Sequence, residues 1–80
     1  MKNNSEHPGR IVIFINDQRH FAPSPTMTGA EIKQLGDIPE GNILYKEEPG
    51  VHPDTRIPDD MVVELRSGMK FYDLPPAVKG

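Results

Sequence analysis

The chain has 80 residues, 9 Lys and Arg against 12 Asp and Glu, a net charge of −3 and no cysteine. A chain of this length forms one small domain that buries only about 60% of its unfolded surface, which leaves little room for an enclosed active site. The acidic balance disfavours nucleic acid as a partner, and the lack of cysteine excludes disulfides, thiolate catalysis and cysteine-ligated zinc. The hydrophobic core must therefore hold the domain together.

The first nine residues are polar and contain no apolar run. They match neither a signal peptide nor a membrane anchor. We interpret residues 1–9 as a disordered arm and expect a cytoplasmic protein with no membrane partner.

The first predicted element is a β-hairpin, in which residues 10–15 and 19–22 flank a polar turn. Its first strand is apolar on both faces, which is typical of a central strand. We expect the isoleucines of this strand to face a helix, and Val12 and Phe14 to lie on the opposite face together with Leu44. These three residues would form a docking patch for partner proteins. The alternative is a reversed register, or a patch covered by the C-terminal strand.

A short helix follows, with a well-marked beginning. Thr28 is the expected N-cap, Glu31 completes a capping box, and Met27 and Ile32 are spaced as a hydrophobic staple. Gly36 predicts a left-handed residue at the C-terminal end. At about two turns the helix is too short to be stable alone, so it must dock on a sheet.

The second half of the chain predicts strands separated by loops. A strand is expected over residues 42–48, and residues 51–60 are mainly loop with a brief strand at 55–57. Residues 61–65 and 69–74 predict the last strands. With a right-handed crossover, this order predicts an α+β fold of the β-grasp, or ubiquitin-like, type, with a mixed sheet of four to five strands on one short helix.

The chain ends in Leu74-Pro75-Pro76-Ala77-Val78-Lys79-Gly80. Successive prolines favour an extended polyproline conformation, so we expect residues 75–80 to form a flexible tail that projects from a domain spanning residues 10–74. A glycine carboxylate can enter a narrow slot in another protein because glycine has no Cβ. The ending is therefore a candidate chemical handle, and a chance terminal glycine is the alternative.

Four stretches of the chain resemble the bacterial multiubiquitin-type domains, ubiquitin-like proteins encoded in operons beside ubiquitination-like enzymes. The stretches are Ile15-Asn16-Asp17, Met27-Thr28-Gly29-Ala30-Glu31-Ile32, Leu44-Tyr45 and Lys70-Phe71-Tyr72-Asp73-Leu74-Pro75-Pro76. The resemblance covers residues 10–76, and its most specific parts are structural rather than catalytic.

The resemblance implies a protein modifier that is a substrate of enzymes and not itself an enzyme. An adenylating activating enzyme would use ATP to charge the C-terminal carboxylate, a conjugating enzyme would carry it to target proteins, and a metallo-isopeptidase would remove it. Gly80 would be the acyl donor, joined to targets through an isopeptide bond. The tail contacts to these enzymes would come from Val78, Lys79, Pro75 and Pro76. We expect a monomer with no bound cofactor.

Three other functions remain open. A sulfur-carrier protein of the same fold would convert the terminal carboxylate to a thiocarboxylate, although that class usually ends in two glycines. A β-grasp interaction module would bind partners without covalent chemistry. A small enzyme is the third alternative.

Neither the histidines nor the acid pairs predict a catalytic or metal site. His7, His20 and His52 lack the spacing of metal ligands. The acids at 47–48 and 59–60 are adjacent in sequence, so in a strand they point to opposite faces and in a turn they cap the local backbone. We expect no catalytic residue and no metal ligand in this chain.

Overall fold

The computed structural model describes residues 10–77, which form seven strands and one helix. In chain order these are β1 Ile11–Ile15, β2 Gln18–Ala22, β3 Thr26–Thr28, α1 Gly29–Leu35, β4 Ile43–Lys46, β5 Thr55–Ile57, β6 Val62–Glu64 and β7 Lys70–Leu74. No helix among the described residues is long and apolar enough to cross a membrane.

Five strands form a mixed sheet in the order β2-β1-β7-β4-β5. The first and last strands of the chain, β1 and β7, pair in parallel, and the other neighbours in this sheet are antiparallel. The predicted β-grasp fold is therefore confirmed. β1 has a strand on each side, as its two-sided apolar pattern predicted.

A separate antiparallel ladder joins β3 to β6. The sequence predicted β6 but not β3, which has only three residues and follows a segment with two prolines. β3 forms because Met27 pairs with Val63, and both side chains are buried. The two residues lie far apart in sequence, so no local sequence pattern predicts their contact.

The β1–β2 turn contains two residues, Asn16 and Asp17, with φ values of 51° and 67°. Positive φ at both positions is the mark of the type I′ turn, whose twist matches that of the flanking strands. Asn and Asp tolerate this conformation better than other residues that carry a Cβ. Gln18, predicted as part of the turn, instead begins β2.

The predicted helix beginning is confirmed in detail. The Glu31 N–H donates to Thr28 Oγ1 over 3.2 Å, and the Thr28 N–H donates to Glu31 Oε1 over 2.8 Å. These two bonds satisfy backbone donors that an α-helix leaves unpaired at its first turn. Met27 and Ile32, the staple residues, are both buried in the core.

The prediction that Gly36 adopts a left-handed conformation is wrong. Gly36 has a φ of −92°, and the left-handed conformation falls on Asp37, at 56°. A Cβ on Gly36 would lie 2.5 Å from Ile15 Cγ2. Glycine is favoured here because the end of α1 packs directly against the Ile15 side chain of β1.

The core lies between α1 and one face of the five-stranded sheet. Its largest fully buried side chains are Phe71, Ile13, Ile15, Ile32 and Leu44. The isoleucines of β1 face the helix side as predicted, with Ile11 half-buried at the margin of the core. The side chains on the opposite face of this sheet, among them Val12 and Phe14, are half-buried or exposed.

Candidate functional site

The candidate site is the face of the five-stranded sheet opposite α1, here called the outer face. Side chains alternate between the two faces along a strand, and residues paired across neighbouring strands lie on the same face. The outer face therefore contains Val12, Phe14, the residues paired with them and every second residue along each of these strands. Its apolar and aromatic members are Val12, Phe14, Phe21, Ile43, Tyr45, Tyr72 and Leu74. All are half-buried or exposed, and Phe21 and Leu74 are 48% and 47% exposed.

Of the three residues predicted to form a docking patch, Val12 and Phe14 lie on the outer face and Leu44 does not, and the docking role stays a prediction. Leu44 is 1% exposed and belongs to the core. In the β4–β7 register Leu44 pairs with Asp73 and Tyr45 pairs with Tyr72, so Tyr45 is the residue of this pair on the outer face. The run Ile43-Leu44-Tyr45 is apolar on both faces, and the sequence alone did not assign its register.

Tyr45 and Tyr72 form a stacked aromatic pair on the outer face. Their rings stack with centroids 5.4 Å apart and planes inclined by 15°. The Tyr72 hydroxyl donates to Asp54 Oδ2 over 2.6 Å, and this bond raises the pKa of Tyr72 to about 12. The stacked pair is an amphipathic surface, and tyrosine is enriched at protein interfaces.

The chain leaves the sheet at one end of the outer face. Leu74, the last residue of β7, pairs with Ile43, and Pro75, Pro76 and Ala77 after it are exposed. The remaining predicted tail residues, Val78, Lys79 and Gly80, lie outside the described residues. The described part of the tail thus begins next to the apolar side chains of Ile43 and Leu74.

Asp73 ties this end of β7 to two neighbouring segments. Its Oδ2 accepts from Asn42 Nδ2 over 2.7 Å, and its Oδ1 accepts from Asn16 Nδ2 over 2.6 Å. The bond from Asn42, and then that from Asn16, holds the pKa of the Asp73 carboxyl below its usual value. The sequence did not predict this cluster, because Asn42 and Asn16 are 31 and 57 positions from Asp73.

Two of the four acids considered for catalysis have structural side-chain partners. Asp59 accepts from the buried Lys33 ammonium over 3.0 Å, and Glu48 accepts from Lys46 over 2.8 Å and from Thr55. No three His, Cys, Asp or Glu side chains between residues 10 and 77 converge as a metal site would require. His7 lies outside the described residues.

Comparison with known families places this geometry in context. A family model described as Multiubiquitin matches residues 11–72, from the start of β1 into β7. Comparisons with curated proteins and with solved structures gave no match.

Proposed function

Because the chain belongs to the Multiubiquitin family, we propose that it is a ubiquitin-like protein modifier, of the kind that bacterial ubiquitination-like operons encode. An activating enzyme adenylates the Gly80 carboxylate, and a conjugating enzyme transfers it to target proteins. The observation that carries the proposal is the exposed Pro75-Pro76 segment, which leaves a ubiquitin-like sheet directly beside its outer face.

The chemistry requires activation, because a free carboxylate is a poor acyl donor. The Gly80 carboxylate oxygen attacks the α-phosphorus of ATP, which forms an acyl adenylate and releases pyrophosphate. An enzyme thiolate then displaces AMP to form a thioester. A target amine attacks the thioester carbonyl, loses a proton and expels the thiolate, which leaves an isopeptide bond that a metallo-isopeptidase hydrolyses.

In this scheme the modifier supplies binding and positioning and no catalytic group. The outer face docks the enzyme, and the tail reaches the reacting centre from a fixed starting point at Leu74. Holding a reactant in place in this way converts a bimolecular step into an effectively intramolecular one. Pro75 and Pro76 stiffen the first part of the tail, since a polyproline segment is more extended than other flexible chains.

Intact mass spectrometry tests the proposal. The full chain is incubated with ATP, an activating enzyme of the family and its conjugating enzyme. We expect a protein-sized adduct with the natural chain and with Gly41→Ala, which changes a glycine with no neighbour within 4 Å of its added Cβ. Deletion of Gly80 should abolish the adduct and leave the circular dichroism spectrum unchanged.

Two results would contradict the proposal. Charging of the chain that lacks Gly80 would show that the acyl donor lies elsewhere. A mass gain of about 16 Da without a protein adduct would indicate exchange of a carboxylate oxygen for sulfur, and hence a sulfur carrier.

A further inference from the structure

β2 is an edge strand whose outward backbone groups can be assigned from the register. The Phe14 N–H donates to the Met69 carbonyl over 2.9 Å, and the Val12 carbonyl accepts from Gly68 over 2.8 Å. These β1 groups therefore point toward β7, and not toward their β2 partners Arg19 and Phe21. In an antiparallel ladder such pairs are the non-hydrogen-bonded ones.

Arg19 and Phe21 consequently direct their own N–H and C=O groups away from β1, at an edge where no other strand within residues 10–77 pairs with β2. A row of such groups is a template for pairing with another strand. The same two residues place their side chains on the outer face, because they pair with Phe14 and Val12. Backbone and side chains of this edge are thus available to a single ligand.

The side chains around this edge are aromatic and cationic. The guanidinium groups of Arg10 and Arg19 lie 4.6 and 5.2 Å from the centre of the Phe21 ring, which is 48% exposed. Lys70 pairs with Phe14 on the same face. The ion pairs within residues 10–77 use Lys33 and Lys46, so these three cations have no carboxylate partner in the described part of the chain.

We propose that β2 accepts an acidic segment of a partner protein as an added strand. The segment pairs its backbone with the outward groups of Arg19 and Phe21, and an apolar side chain packs on the Phe21 ring. Its carboxylates contact Arg10 and Arg19, and Lys70, two strands further into the sheet, adds positive charge to the same face. This recognition is non-covalent and does not depend on the chemistry proposed for Gly80.

The charge of this edge favours an acidic peptide over a second copy of the chain and over nucleic acid. Pairing of β2 with β2 of a second copy would bring the Arg10 and Arg19 guanidinium groups of both chains to one interface, and like charges across a strand pair are destabilising. Nucleic acid requires many phosphate contacts, whereas this edge and the adjoining outer face offer three cations on a chain of net charge −3. An acidic peptide satisfies the cations and the open backbone together.

The test uses the full chain and a synthetic peptide of about eight residues, in which every second position carries glutamate or valine in turn and the positions between carry threonine, so that one face of the strand presents both side-chain types. We expect amide NMR shifts centred on Arg19 and Phe21, slower amide hydrogen exchange at both, and binding that weakens as salt is raised. A peptide of the same sequence with N-methylated backbone amides should not bind, because it cannot donate to the edge. The same peptide with lysine in place of each glutamate should not bind either.

Two variants distinguish binding at the β2 edge from a general effect of charge on peptide binding. Arg19→Glu should weaken peptide binding about tenfold. Arg56→Glu is the matched control, because Arg56 is an exposed arginine in β5, at the other edge of the same sheet. It should change the affinity less than twofold, by analogy with charges at an interface rim.

Five results would overturn the proposal. Equal binding of the N-methylated peptide would exclude strand addition, and equal loss in both arginine variants would exclude a local site. Shifts centred on Tyr45 and Tyr72 would move the site to the other half of the outer face. Tighter binding of a single-stranded oligonucleotide than of the peptide would indicate nucleic acid. Dimerisation through β2 in sedimentation experiments would indicate a second copy.

Discussion

The Tyr72 hydroxyl donates a 2.6 Å hydrogen bond to Asp54 Oδ2, and so joins the last strand to the loop before β5. The carboxylate also accepts from the Glu48 N–H over 2.9 Å. These two bonds, that from Tyr72 first, lower the pKa of Asp54, while the pKa of Tyr72 rises to about 12. The Tyr72–Asp54 hydrogen bond therefore orients the Tyr72 ring on the outer face and makes the stability of this part of the domain depend on pH.

We predict that Tyr72→Phe changes the response to alkali. The raised pKa of Tyr72 makes a contribution to stability that is complete below about pH 10, the ordinary tyrosine value, and is lost as pH rises toward 12. Alkaline unfolding followed by circular dichroism should show a smaller loss of stability in this window for Tyr72→Phe. Tyr45→Phe should behave like the natural chain, and equal effects of the two changes would refute this assignment.

Leu44 and Tyr45 should separate stability from binding. Leu44→Ala removes a core side chain and should reduce the free energy of unfolding by about 2 to 5 kcal/mol. Tyr45→Ala should cost less stability, because its ring is half-buried on the outer face, and should reduce binding to the activating enzyme. Urea unfolding and titration calorimetry measure the two effects. Unchanged binding of a folded Tyr45→Ala protein would remove Tyr45 from the docking surface.

Gly36→Ala tests the contact between the helix end and β1. The φ of −92° suits alanine, so any cost comes from crowding against Ile15. We expect a loss of about 1 to 3 kcal/mol in the free energy of unfolding, as for other overpacked cores. Gly41→Ala, whose added Cβ meets nothing within 4 Å, is the control. A stabilised Gly36→Ala protein would mean that β1 and α1 separate easily.

Asp73→Asn should weaken the attachment of the last strand. Losing the charge from two hydrogen bonds in a partly exposed site should cost about 1 kcal/mol near pH 7. A lowered folded pKa adds stability above the unfolded value of about 3.9, and this stability is lost as pH falls through the folded pKa. The difference from the natural chain should therefore vanish in acid, as measured by urea unfolding at several pH values. A difference that persists in acid would show that the charge of Asp73 is not its cause.

Lys33 and Asp59 should respond unequally to mutation. The Lys33 side chain is 7% exposed, whereas that of Asp59 is 58% exposed. Asp59→Ala leaves a buried ammonium with the Glu40 carbonyl as its partner among residues 10–77, and should cost about 2 kcal/mol. Lys33→Met leaves a solvated carboxylate and should cost less. Thermal unfolding measures the loss of stability in each variant. A larger loss for Lys33→Met than for Asp59→Ala would contradict this prediction.

Local hydrogen bonds were predictable because their partners lie close in sequence. The Thr28–Glu31 capping box closes over three residues, and its geometry matched the prediction. The order of strands around one helix also followed from apolar runs and turn residues. Contacts between distant segments were not predictable in this way. Contacts between distant segments decide on which face Leu44 lies. They also explain the glycine at position 36 and the hydrogen bonds of Asp73.

By itself the sequence determined which residues form the hairpin, where the helix begins and that the chain adopts a β-grasp fold. Only the tertiary structure decided that Tyr45 and Tyr72, rather than Leu44, complete the outer face, and that the cations Arg10 and Arg19 flank the exposed Phe21 at an open edge. The physical reason is that strand propensity and capping act over a few residues, whereas register is decided by partner strands. A shift of one residue in register exchanges the core face for the outer face.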